Sequence, residues 1–138
     1  MQDKILEMAE LVDAGECVWF HRHTQNILSH PDPDGYQYSA EHDYLVEDVM
    51  QEVNEDFDNY IKIPALPSHD SYKIMEGFAD TMIDERKRFH LFDALNSKKP
   101  FRHFRQAVET DGLLDDWHAY YDSRLQDYVM GKLEEQVL

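Results

Sequence analysis

The sequence predicts a helix-dominated α+β domain, about five to six helices packed on a small antiparallel sheet of about three short strands. Three observations lead there. Apolar residues recur at helical spacing through most of the chain. Runs of strand-forming residues are confined to Cys17–Arg22 with Ile27–His30, and to Tyr60–Ile63. The five prolines all fall at the ends of these segments.

Taken in order, residues 3–14 read as a helix, because Ile5, Met8, Ala9 and Val12 follow the i, i+3, i+4, i+7 rule and Gly15 is a terminator. Cys17-Val18-Trp19-Phe20-His21-Arg22 and Ile27-Leu28-Ser29-His30 read as a hairpin turning near Thr24-Gln25, which lacks the favoured Asn-Gly pair. With that turn, Cys17, Trp19, His21, His23, Leu28 and His30 share one face, and Val18, Phe20 and Ile27 the other. Pro31-Asp32-Pro33-Asp34-Gly35 opens an irregular stretch to about His42, in which Tyr36, Tyr38 and nearby Tyr44 are candidate exposed rings. Leu45, Val46, Val49, Met50 and Val53 mark a second helix. Tyr60–Ile63 is the third strand, ended by Pro64 and Pro67. Ser68 is placed as the N-cap of a third helix with the stripe Tyr72, Met75, Phe78, Ala79 and Met82. Asp84 caps a fourth carrying Phe89, Phe92 and Leu95. Pro100 opens a fifth with Phe101, Phe104 and Val108 toward the core. After Asp111-Gly112 a long last helix runs through Trp117, Tyr121, Leu125, Tyr128 and Leu133.

A chain of 138 residues, 42% hydrophobic, supports one ordinary core, burying roughly 65–70% of its extended surface. Residues 1–138 are therefore read as a single domain. Cys17 is the sole cysteine, so no disulfide closes within the chain, and a reducing compartment fits. Met1-Gln2-Asp3-Lys4 has no signal pattern, and no apolar run approaches the roughly 20 residues that span a bilayer. A cytoplasmic protein without a membrane partner is expected.

Charge is the strongest compositional signal. Thirteen Lys and Arg face 29 Asp and Glu, a net of −16, which repels nucleic acid and anionic membrane on average, so non-specific nucleic-acid binding is not expected. Yet Arg86–Arg105 holds seven bases against one acid, a net of +6, and the remainder carries −22.

The C-terminal half carries two signatures. Lys98-Lys99-Pro100-Phe101-Arg102-His103-Phe104-Arg105 resembles a K-P-F-R-x-F pattern, and Trp117-His118-Ala119-Tyr120-Tyr121-Asp122-Ser123-Arg124-Leu125 resembles W-Y-x-F-x-x-x-R-L. With Tyr60-Ile61-Lys62-Ile63-Pro64, Tyr72-Lys73-Ile74-Met75-Glu76-Gly77-Phe78 and a hairpin at Trp19–Ser29, the chain is similar over roughly residues 15–135 to the bacterial uncharacterised protein family 0158. His118 stands where that pattern has Tyr, and Gln25 where its turn has Gly. The resemblance implies a fold and brings no activity with it.

The residues themselves offer one candidate site. Lys98 and Lys99 stand before a helix N-terminus, whose free N–H groups and dipole favour an anion, and Arg102 and Arg105 lie one turn apart beyond them. Arg124, beside Trp117, Tyr120 and Tyr121, joins this anion-binding set or acts as a stacked clamp between helices. The competing reading is neutralisation by Glu109, Asp115, Asp116 and Asp122. His21, His23 and His30 are the weak metal candidates, lacking zinc-type spacing; no metal or cofactor is expected. Asp32-Pro33-Asp34-Gly35 lacks the third acid and closing Glu of a calcium loop. No nucleophile elbow, phosphate-binding Gly loop or dinucleotide fingerprint occurs, and Cys17 reads as a core residue. No catalytic residue is assigned, and the chain leans away from enzymes. The leading reading is a non-enzymatic interaction or regulatory domain, with another protein as partner and no signal for oligomeric state. The alternatives are an acidic mimic of nucleic acid, and a binder or enzyme for a small phosphorylated ligand.

Overall fold

A computed structural model describes residues 1–35 and 37–137; Tyr36, one of the candidate exposed rings, lies outside the described residues. The elements follow the order α1 (Gln2–Asp13), β1 (Glu16–His21), β2 (Ile27–Pro31), α2 (Asp43–Glu55), β3 (Tyr60–Ile63), α3 (Ser68–Asp80), α4 (Glu85–Leu95), α5 (Pro100–Thr110) and α6 (Leu114–Val137), with 3-10 turns at Ala40–His42 and Phe57–Asn59. This is the helix-dominated α+β fold that the periodicities predict. The chain divides into two compact units, one formed by residues 1–67 and 125–138, the other by residues 68–124.

The first unit is built on the antiparallel sheet, in the order β2-β1-β3. Cys17 pairs with His30, Trp19 with Leu28 and Phe20 with Ile27, which keeps Cys17, Trp19, Leu28 and His30 on one face as the alternation implies, but the loop is the four residues 22–25 and the pairing is two residues off that of a tight turn at Thr24-Gln25. The central strand β1 is buried from Cys17 through His21, because a strand paired on both sides and covered on both faces leaves no room for polar alternation. α1 buries Ile5, Met8, Ala9 and Val12, and Gly15 takes the left-handed conformation (φ +89°) that reverses the chain into β1. Val49, Met50 and Val53 of α2 pack on Cys17, Trp19, Leu28 and Tyr60. Gln25 occupies the hairpin turn at φ 62°, a conformation glycine adopts without strain. Two polar clasps complete this unit. Buried Asp32 accepts from Asp34 N–H at 2.9 Å and Ala65 N–H at 3.0 Å, tying the segment after β2 to the segment after β3. The Gln136 amide donates to Lys62 O (2.8 Å) and accepts from Lys62 N–H (3.1 Å), acting as one further strand pairing on the edge strand β3.

The second unit is all-helical and centred on aromatic rings. Phe78 of α3 lies 6.4 Å from Phe104 of α5, 5.3 Å from Trp117 and 5.5 Å from Tyr120 of α6, and Phe104 lies 5.0 Å from Trp117. The geometries are edge-to-face or tilted, the arrangements that ring quadrupoles prefer. Leu91, Ala94 and Leu95 of α4 and Ala107 and Val108 of α5 fill the space around them. Asp84 caps α4, accepting from Arg86 and Lys87 N–H at 2.9 and 3.1 Å. Gly112 (φ +68°) turns the chain into α6.

Three sequence expectations need correction. Ser68 is the first helical residue of α3, not its N-cap. Phe89 is 73% exposed, because Leu91, Ala94 and Leu95 form the narrower stripe and Phe89 lies about 200° from Leu91 around the helix. Phe101, in the first turn of α5, is 41% exposed, and Phe104, Ala107 and Val108 make the buried face instead.

Gly77 fixes how closely α3 and α6 approach. A Cβ there would lie 2.5 Å from the Tyr120 hydroxyl but 3.6 Å from the next ring atom. Gly77→Ala is therefore expected to destabilise the protein by about 1–2 kcal/mol through overpacking, despite alanine's better helix propensity. In a Tyr120→Phe background the same change becomes neutral or stabilising, by up to about 1 kcal/mol. Urea unfolding of the four proteins checks this; the same destabilisation in both backgrounds contradicts it.

Candidate functional site

The basic candidates sit where the helix signals place them, outside the aromatic core. Lys98 and Lys99 occupy the bend before α5, with Lys99 at the N-cap position and Pro100 opening the helix. Lys99 O accepts from His103 N–H at 3.0 Å. Because Phe104, Ala107 and Val108 face inward, Arg102 and Arg105 face out, and all four cationic side chains are exposed. Among the described residues, none of the four lies within ion-pair distance of a carboxylate. Internal neutralisation by Glu109, Asp115, Asp116 or Asp122 is not what this surface shows.

Arg88 and Arg124 differ. Arg88 is held by Asp80, donating to its carboxylate at 2.9 Å and its backbone carbonyl at 3.0 Å, and lies 5.1 Å from the Phe92 ring centre. Arg124 lies over the Tyr120 ring at 5.3 Å and donates to Ser123 Oγ at 3.2 Å, so its stacking on an aromatic neighbour is as the sequence suggests.

The histidines of the sheet do structural work. His30 accepts from Trp19 Nε1–H at 3.0 Å and donates from Nδ1 to Pro31 O at 2.8 Å, so both ring nitrogens are engaged inside the protein. His21 Nδ1 accepts from the backbone N–H groups of His23 (3.2 Å) and Thr24 (3.1 Å), which leaves the hydrogen on Nε2 for Asp56 Oδ2 at 2.7 Å. His23 does not share their face: β1 ends at His21 and His23 stands exposed in the turn. Asp32, the first acid of the loop weighed for calcium, gives both carboxylate oxygens to backbone amides. Cys17 is buried, and its thiol is pushed up to about 12, by burial first and then by Asp32, so it remains a neutral core group.

A second feature had no signal in the sequence. A groove of about 430 Å³ runs between α4 and α5, lined by His90, Asp93, Ser97, His103, Gln106 and Thr110 among others. His90 Nδ1 meets Asp111 Oδ2 at 2.9 Å. Ser97 Oγ lies 2.6 Å from both Ala94 O and His103 Nδ1. One hydroxyl hydrogen serves one acceptor, so all three groups are satisfied when Ser97 donates to the carbonyl and His103 Nδ1–H donates to Oγ. In that arrangement the histidine orients the serine and takes no proton from it.

The family model described as Uncharacterised protein family (UPF0158) matches residues 37–138. The hairpin likeness lies outside that span, while both C-terminal signatures lie within it. UPF0158 protein PA5073 of Pseudomonas aeruginosa is 31% identical over 74 residues, covering 53% of this chain and 48% of the relative. The chain thus spans about half the length of the curated relative it matches. No solved structure matches the chain.

Asp56 supplies a pH test of the hairpin turn. Hydrogen bonds from His21, then from Asn59, hold its carboxyl below the ordinary value of 3.8. The unfolded chain takes up that proton first, so the stabilisation is complete above 3.8 and is lost as pH falls through the folded value. Wild type is expected to be more stable than Asp56→Asn at pH 7, with the gap closing as pH falls below 3.8. Urea midpoints across pH measure it; a gap that stays constant shows that the carboxylate is not what braces the turn.

Proposed function

The chain belongs to the uncharacterised protein family UPF0158, and we propose that it acts as a non-enzymatic interaction or regulatory module whose basic stretch docks on an acidic surface of another protein. The supporting observation is that Lys98, Lys99, Arg102 and Arg105 stay exposed and without a carboxylate partner among the described residues, in a chain that has 29 carboxylates to offer. An unpaired cation is well hydrated and keeps its full charge for a partner. Opposite potentials across such an interface steer encounter and fix orientation more than they raise affinity. Among the described residues no helix is long and apolar enough to cross a membrane.

The test is capture of partners from the native host by wild type and by the Arg102→Glu, Arg105→Glu double variant. A partner with an acidic surface is expected to bind the wild type, to weaken by about tenfold or more between 50 mM and 500 mM salt, and to be lost with the double variant. Equal recovery on both proteins, insensitive to salt, overturns the reading.

A further inference from the structure

Around the α4–α5 groove, cations and an exposed ring stand on one surface. Arg86, Phe89, His90 and Asp93 follow i, i+3, i+4, i+7 spacing on α4, and Lys99, Arg102, His103 and Gln106 repeat that spacing at the head of and along α5. His90, Asp93, His103 and Gln106 line the groove itself, so the two stripes are its two banks. Phe89 is 73% exposed on one bank, and Ile83, just before the α4 cap, is 96% exposed. Single exposed apolar residues are ordinary on a protein surface. Here a bare ring, Phe89, and the cations Arg86, Lys99 and Arg102 each stand four residues, about one helical turn, from a residue that lines the groove (Asp93, His90, His103 and Gln106 respectively), and the three cations are exposed and without a carboxylate partner among the described residues.

We infer that this groove seats an acidic polypeptide segment, with an apolar side chain of the segment against Phe89 and its carboxylates on Arg86, Lys99 and Arg102. The inference rests on the interaction-module reading and names its partner. Charge complementarity selects the occupant. The window Arg86–Arg105 carries +6, and the rest of its compact unit, residues 68–85 and 106–124, holds ten acids against two bases, a net of −8. A nucleic acid or an anionic membrane that extends past the window meets this net negative charge. A short acidic segment ends within the window. The histidines suit this role: each has Nδ1 committed, to Asp111 or Ser97, which fixes its ring as a wall of the groove.

The test pans a display library of short random peptides on the whole chain, then measures the selected peptides against wild type, Phe89→Ser and Arg102→Glu. Vesicles of phosphatidylserine with phosphatidylcholine and a single-stranded DNA oligonucleotide serve as parallel probes. Phe89 is exposed, so its replacement leaves the fold intact, which the melting temperature verifies. The expected result is peptides rich in Asp and Glu that also carry Leu, Phe or Trp, each weakened about tenfold by either substitution. Acidic peptides that lose affinity with Arg102→Glu but are indifferent to Phe89→Ser overturn the groove while leaving the basic stretch as a docking surface. Selected peptides without acidic enrichment, or binding only to the vesicles or the DNA, overturn both.

Discussion

The organisation of residues 68–124 depends on one contact set, the ring cluster of Phe78, Phe104, Trp117 and Tyr120. It joins α3, α5 and α6 through four ring pairs, and Gly77 leaves the space in which the Tyr120 hydroxyl closes on α3. Each such pair adds about 0.5–1.5 kcal/mol beyond the burial of its rings. An exposed ion pair contributes about 0–1 kcal/mol. Packing therefore decides this part of the fold, and the charges distribute themselves around it. Once Phe104, Ala107 and Val108 point inward, helix geometry sends Arg102 and Arg105 outward.

That division also makes sense of the family signatures. Phe104 comes from the first C-terminal signature, Trp117 and Tyr120 from the second, and Gly77 and Phe78 from the weaker segment before them. These stretches meet in one cluster, so what they have in common is a packing solution. The same short run that supplies Phe104 to the core carries Lys98, Lys99, Arg102 and Arg105 on its outside. Phe104 and the exposed Arg102 and Arg105 thus occupy opposite faces of one amphipathic helix, with Lys98 and Lys99 just before its first residue.

Much of this was legible before the coordinates. The period of two in the hairpin determined which strand residues share a face, though not which oppose one another, and Asp84 and Gly15 announced the ends of their helices. Where the sequence misled, two apolar stripes competed on one helix. In α4, Phe89, Leu91, Phe92, Ala94 and Leu95 are all apolar, and only neighbouring helices decide that Leu91, Ala94 and Leu95 go in and Phe89 stays out. The groove was invisible for a related reason. His90 and Asp111, or Ser97 and His103, are unremarkable in the sequence until the α4–α5 turn brings the helices side by side. Gln25 in the left-handed turn position shows the reverse case, a residue that tertiary pairing holds against its own preference.

The rings hold residues 68–124 together, and the basic stretch does not. The direct measurement is the unfolding free energy of the Lys98→Gln, Arg102→Gln, Arg105→Gln triple variant, from urea titration at low salt. Stability within about 1 kcal/mol of wild type is predicted, because these side chains brace nothing inside the protein. A loss of about 3 kcal/mol or more would mean that the cations are paired and structural, and that the rings do not hold this part of the fold without them.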